Sequence, residues 1–143
     1  MKIYIASSYK NYKEVLELAE KLRAIGVTPL CAWASTEHAS TQIGKDLALS
    51  ADNAVNSNEA SRDLAEIDEA AVVLLLSNGV PSVSGGMHFE CGYAHGLGKQ
   101  IYVLGKRSTV FHWLYGVTQF DTFEELVEWL MPIKKWSIAG NNS

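Results

Sequence analysis

Ala71-Val72-Val73-Leu74-Leu75-Leu76 is an apolar run with no polar break. A strand that shows one face to water alternates apolar and polar residues, whereas a strand covered on both faces does not, so this run reads as the centre of a parallel sheet. Helical spacing flanks it on both sides. Upstream, Glu59 to Ala70 reads as a helix with Leu64 and Ile67 turned inward. Downstream, Asn78 to Gly86 reads as a loop of small residues, Met87 to Gly98 as a helix and Gln100 to Leu104 as another strand. A last helix covers Phe123 to Met131, and Pro132 ends it.

The N-terminal half follows the same alternation. Lys2 to Ala6 is a short β-branched and aromatic strand. Val15, Leu18, Ala19, Leu22 and Ile25 then recur at helical spacing until Gly26 stops the run. Thr28 to Trp33 reads as a second strand. Ala34 to Asn58 is rich in Ser, Thr, Asn and Ala, with helical character only around Ile43 to Leu49, and reads as loop and short helix. Alternating strands and helices imply a parallel sheet with right-handed crossovers, helices on both faces, and a ligand site beyond the carboxyl ends of the strands. The loops at Ser7 to Lys10, Asn78 to Gly86 and Gly105 to Thr109 should meet there.

Composition narrows the classes of function. With 143 residues, 48% of them hydrophobic and 20% charged, the chain can fill one core without disulfides or metal. A net charge of −4 and the lack of a basic run argue against a nucleic-acid surface, which needs clustered Lys and Arg. Small-molecule partners are expected instead. Cys31 and Cys91 form neither a disulfide framework nor a metal-ligand spacing, and His88 and His95 lack further ligands. No metal or cofactor is expected. No signal peptide or membrane-spanning pattern is legible, and the expected compartment is the cytoplasm.

The chemistry concentrates in Ser84-Gly85-Gly86-Met87-His88-Phe89-Glu90-Cys91-Gly92-Tyr93-Ala94. A glycine-rich turn after a buried strand offers backbone N–H groups at the positive end of a helix, suited to a sugar hydroxyl or phosphate. The same dipole is expected to help keep Glu90 ionised, and an ionised, positioned carboxylate is a competent nucleophile for a sugar carbon.

Several motifs in order, Ile3-Tyr4-Ile5-Ala6-Ser7-Ser8, Arg62-Asp63-Leu64, Ser84-Gly85-Gly86, Glu90-Cys91-Gly92-Tyr93-Ala94 and Gly98-Lys99, resemble the nucleoside 2-deoxyribosyltransferase superfamily. The pattern is nearest its branch of (deoxy)nucleoside 5′-monophosphate N-glycosidases and spans Ile3 to about Leu130. The resemblance implies that Glu90 attacks the anomeric carbon to form a glycosyl-enzyme, that Asp63 binds and protonates the leaving base, and that the Tyr4 hydroxyl orients Glu90. It implies a phosphate held by Ser84, Gly86, Ser8 and Lys10, with Ser7 in the same first loop. Ser84 stands where transferases of free nucleosides tend to carry an aspartate, which would repel a 5′-phosphate. The resemblance further implies a homodimer or higher homo-oligomer with shared active sites, Thr109 and Phe111 reaching the neighbour's pocket. The chain departs from the pattern at Ala71, where many relatives have aspartate, and at Ser7, where many have glycine.

Both lines meet in one α/β domain, residues 1–132, with a Rossmann-like (flavodoxin-like) parallel sheet of about five strands and helices on both faces. Residues 133–143 read as a polar tail. Plainer readings exist for each site residue. Asp63 can simply pair with Arg62, Tyr4 and Trp33 can be core, Ser84 can be a helix N-cap, and Phe111-His112-Trp113-Leu114-Tyr115 can be an interface or core cluster. The alternatives in function are base exchange on free deoxynucleosides, a phosphoribohydrolase of different lineage, and a non-catalytic nucleotide sensor.

Overall fold

The computed structural model describes residues 1–35, 53–78 and 85–131. Most of the expected loop from Ala34 to Asn58, its helical stretch at Ile43 to Leu49, the tip of the Asn78 to Gly86 loop with Ser84, Pro132 and the tail lie outside the described residues.

The β-branched and aromatic segment Lys2–Ala6 forms β1, and the apolar run forms β3, Val72–Asn78. Among the described residues these join β2 (Thr28–Leu30), β4 (Gln100–Lys106) and β5 (Val117–Phe120) in a five-stranded, wholly parallel sheet of order β2-β1-β3-β4-β5. Around it, among the described residues, stand four α-helices, α1 (Tyr12–Ala24), α2 (Asn53–Glu69), α3 (Gly86–Gly96) and α4 (Phe123–Leu130). The α/β class, the parallel sheet and the helices on both faces are as the sequence implied, and the strand order is the doubly wound, flavodoxin-like one.

Register decides which face holds which helix. Tyr4 pairs with Val73 and Val73 with Ile101, so their side chains share one face. Ile5, Leu74 and Tyr102 lie in the next row and point to the other. Tyr4 meets Glu90 of α3, and α2 packs on α3 and β1. Tyr102 instead accepts a hydrogen bond from Trp129 of α4 at 3.1 Å, and Lys21 of α1 lies 5.5 Å over Phe123 of α4. The helices α2 and α3 therefore cover one face and α1 and α4 the other. Ile3, Ile5, Leu74, Leu75, Val73 and Val103 are fully enclosed between them, as an unalternating strand requires.

Element ends differ from expectation for local reasons. The second strand stops at Leu30 rather than Trp33, and Ala32–Ser35 turns into a short 3-10 helix. This is an edge strand carrying Pro29, which cannot donate to a ladder. Beyond its end the Trp33 indole N–H donates to the Ile5 carbonyl at 2.8 Å, taking the place of a strand partner. The helix expected from Glu59 begins at Asn53, while β3 and β4 run on to Asn78 and Lys106. The extension of β4 passes through Gly105 at φ +106, where a Cβ would stand 1.9 Å from the Ser77 carbonyl oxygen. Only glycine permits that approach. The strand β5 was not located from sequence, because it is a half-exposed edge with Thr118 and Gln119 at its middle and shows no continuous apolar run.

Candidate functional site

The chain reverses its winding between β1 and β3, and a crevice opens there beyond the carboxyl ends of these strands. A cavity of about 510 Å³ occupies it, lined by Ser7, Tyr9, Trp33, Ala60, Asp63, Leu64, Gly85, Gly86, Met87, Phe89 and Glu90. That volume is in the range of small-molecule sites. Its walls are mostly apolar, so the few polar groups that reach it stand out.

Tyr4, fully buried in the middle of β1, donates its hydroxyl proton to Glu90 Oε2. The same bond satisfies a core tyrosine and fixes the carboxylate, so the two readings of Tyr4 coincide. Burial, then the Glu90 and Asp63 carboxylates, push the Tyr4 phenol far above its ordinary range, which keeps it the donor. Glu90 itself is pushed up to about 8, first by burial. The Tyr4 hydrogen bond lowers it, and the charges of Asp63 and Glu66 raise it further. The helix dipole was expected to keep this group ionised. Glu90 lies beyond the first turn of α3, which begins at Gly86, and the dipole fades within that turn while desolvation does not.

Asp63 comes from α2. Its Oδ1 accepts from Arg62 Nη2 at 3.2 Å, yet burial outweighs that partner and raises its pKa. The plain and the functional readings again hold together, because a carboxyl that is both paired and raised sits on the cavity wall. One turn further, Glu66 Oε1 accepts the Ala32 N–H at 3.2 Å, and burial raises this carboxyl as well. Three carboxyls thus act on one another at the joint of β1, α2 and α3.

Other expected site residues are distributed unevenly. Gly86 lines the cavity with Gly85, and at neither would a Cβ meet a protein atom within 4 Å, so the space they leave is open to a ligand. Ser7 also lines it, but its hydroxyl donates to Leu76 O at 2.8 Å and accepts from Asn11 Nδ2 at 3.0 Å, tying the ends of β1 and β3 together. The Ser8 hydroxyl accepts from Lys10 N at 3.3 Å and caps the 3-10 turn Tyr9–Asn11. Ser8, Lys10, Thr109 and Phe111 are not among the residues that line the cavity, so of the three loops expected to meet, the one after β4 stays outside it. Sequence reading passed over Glu66 and Phe89. The spacing Asp63-x-x-Glu66, which puts two acids on one helical face, was the available signal for the first. Phe89, exposed beside Glu90, carried none.

A doubly wound domain with two carboxyls, Asp63 and Glu90, on a cavity at its switch point has the layout of a site for a small molecule. The chain belongs to the nucleoside 2-deoxyribosyltransferase family, which it matches over residues 3–130. By sequence it matches no curated protein. By structure it resembles a 2-deoxyribosyltransferase from the psychrotolerant bacterium Bacillus psychrosaccharolyticus, with a TM-score of 0.67 and 18% identity over 88% of this chain and 90% of that one. It also resembles the CMP N-glycosidase BcmB of Clostridium botulinum, with a TM-score of 0.56 and 17% identity over 91% of this chain and 98% of that one. Among the described residues, no helix is long and apolar enough to cross a membrane.

Proposed function

We propose that the enzyme cleaves the N-glycosidic bond of a (deoxy)nucleoside 5′-monophosphate, with Glu90 as nucleophile. The observation that carries this reading is the Glu90 carboxylate, held by Tyr4 on the wall of a cavity that Asp63 also lines. In the first step a Glu90 oxygen bonds to the anomeric carbon as the bond from that carbon to the base nitrogen breaks. The electron pair leaves with the base, and the Asp63 carboxyl supplies the proton. In the second, water adds to the anomeric carbon, Glu90 departs as carboxylate, and Asp63 takes up the water's proton, giving free base and sugar phosphate. Tyr9, Trp33 and Phe89 offer the base apolar and aromatic surface. Gly85 and Gly86 at the start of α3 suit the phosphate, with Ser84 and, from outside the cavity lining, Ser8 and Lys10 as the further contacts that the family pattern implies.

Thr109 and Phe111 belong to a different part of the proposal, a pocket completed by a second copy. The turn after β4 exposes Phe111, Trp113 and Tyr115 at 57%, 70% and 103%. Three exposed aromatic side chains on one short turn are the kind of surface that a second copy would cover. Sedimentation velocity should give a dimer, and Tyr115→Asp, which alters a side chain with no monomer contact to lose, should shift it toward monomer with a loss of turnover. A wild-type monomer at assay concentration contradicts this part. Two unpaired buried cysteines suit a cytoplasmic setting.

The reading is tested by chromatography of free base released from deoxynucleosides and their 5′-monophosphates, with and without an acceptor base. Release from monophosphates without acceptor is expected. Exchange on free nucleosides only would make the protein a transferase, and release from nothing would leave a nucleotide sensor.

A further inference from the structure

The 3-10 turn Ala32–Ser35 carries Trp33 onto the cavity wall, but it lies past the end of β2 and has left the sheet ladder. Hydrogen bonds to the body of the protein hold it. One is the Trp33 indole N–H to Ile5 O at 2.8 Å. Another is the Ala32 N–H to Glu66 Oε1 at 3.2 Å, by which a side chain of α2 grips the turn's backbone where it begins. Tyr9 stands edge-on to Trp33, with ring centroids 5.7 Å apart and planes at 88°, so the indole is one wall of an aromatic corner whose shape depends on where the turn sits. Glu66 lies one helical turn from Asp63 on the same helix, and a shift of α2 or of the turn would change the distance between the corner and the proton donor.

We propose that Glu66 is a positioning residue that, by accepting the Ala32 N–H, locks the Trp33 turn to the helix bearing Asp63 and so sets the width of the slot that receives the base. Glu66 touches no reacting atom in this arrangement. It acts through Trp33, and the inference rests on the proposed function for the identity of the ligand.

Two substitutions separate the acceptor from the charge. Glu66→Gln keeps a carbonyl oxygen for the Ala32 N–H, and Glu66→Ala removes it. The first arm needs no ligand: 19F NMR of the full chain labelled with 5-fluorotryptophan, with the Trp33 resonance assigned through Trp33→Phe. Glu66→Ala should move or broaden the Trp33 resonance and leave that of Trp129, on the opposite face of the sheet, in place. Glu66→Gln should leave both. The second arm measures equilibrium binding of a deoxynucleoside 5′-monophosphate in a Glu90→Gln background, where about tenfold weaker binding is expected for Glu66→Ala and near-parental binding for Glu66→Gln. An unmoved Trp33 resonance in Glu66→Ala overturns the anchoring. A moved resonance with unchanged affinity overturns the link to the base slot. Absence of any nucleotide binding in the parent is instead a failure of the proposed function, and the fluorine arm still decides the anchor.

Discussion

Replacing Glu90 by Gln is expected to lower base release by roughly a thousandfold or more and, at the same time, to make the folded protein more stable at alkaline pH. The first effect follows from chemistry. Gln keeps the shape and still accepts from Tyr4, but an amide oxygen is a poor nucleophile and a poor leaving group, so neither the formation nor the breakdown of a glycosyl-enzyme proceeds. The second follows from the environment. Glu90 is pushed from an ordinary value of 4.5 to about 8 in the folded protein. Between those two values the folded state binds more protons than the unfolded state, so the contribution of this group to stability is complete below the lower one and is lost as pH rises through the upper. Gln carries no such cost. The gain should be small near pH 5 and reach about 2–4 kcal/mol above pH 8, allowing for a carboxyl that is only half-buried. Urea melts of both proteins at pH 5 and pH 9 check it, and parallel stabilities at the two pH values would contradict the burial argument. The same property shapes activity. The nucleophile works ionised while Asp63 must keep its proton, so kcat/KM for an ordinary base should be bell-shaped in pH, with its alkaline fall at about 8.

Asp63→Asn is expected to reduce turnover by about 10²–10⁴-fold for ordinary bases. Burial raises the Asp63 carboxyl against the pull of Arg62, which favours the protonated form that a departing base needs. Asparagine fits the same space and can still hydrogen-bond a base, but it has no acidic proton to give. The loss should therefore depend on the leaving group. A base that departs readily as an anion needs little help, so a nitro-substituted base should show a far smaller defect than an unsubstituted one. Rates for a series of bases, plotted against the acidity of the free base, would be steep in the variant and shallow in the wild type. A defect of equal size across the series would mean that Asp63 places the base without protonating it.

The fold was legible where a segment's own composition decides its state. The run Ala71 to Leu76 could only be covered on both faces, and the helical spacing from Val15 to Ile25 closed by Gly26 gave α1 and its C-terminal end to within a residue. What was not legible depended on neighbours. The short β2 is set by Trp33 reaching back to Ile5, and β5 is a strand because β4 lies beside it, not because Thr118 and Gln119 favour one. The site divides in the same way. Glu90, Asp63 and Tyr4 sit in motifs, and the structure brings the first two to one cavity with Tyr4 behind. The burial that raises Glu90 was not legible, because a helix dipole is visible in a sequence and burial is not. Glu66 was missed because its partner is a backbone N–H of a turn 34 residues away, a contact no local pattern encodes.

The nucleophilic role of Glu90 is tested most directly by the stereochemical course of cleavage. Turnover of a deoxynucleoside 5′-monophosphate in buffer containing methanol would trap the sugar as its methyl glycoside, whose anomeric configuration NMR reads before any mutarotation can intervene. Attack by Glu90 followed by attack of methanol inverts the anomeric carbon twice, so a methyl glycoside with the configuration of the substrate is expected. An inverted product would mean that the acceptor displaces the base in a single step and that Glu90 is not the nucleophile.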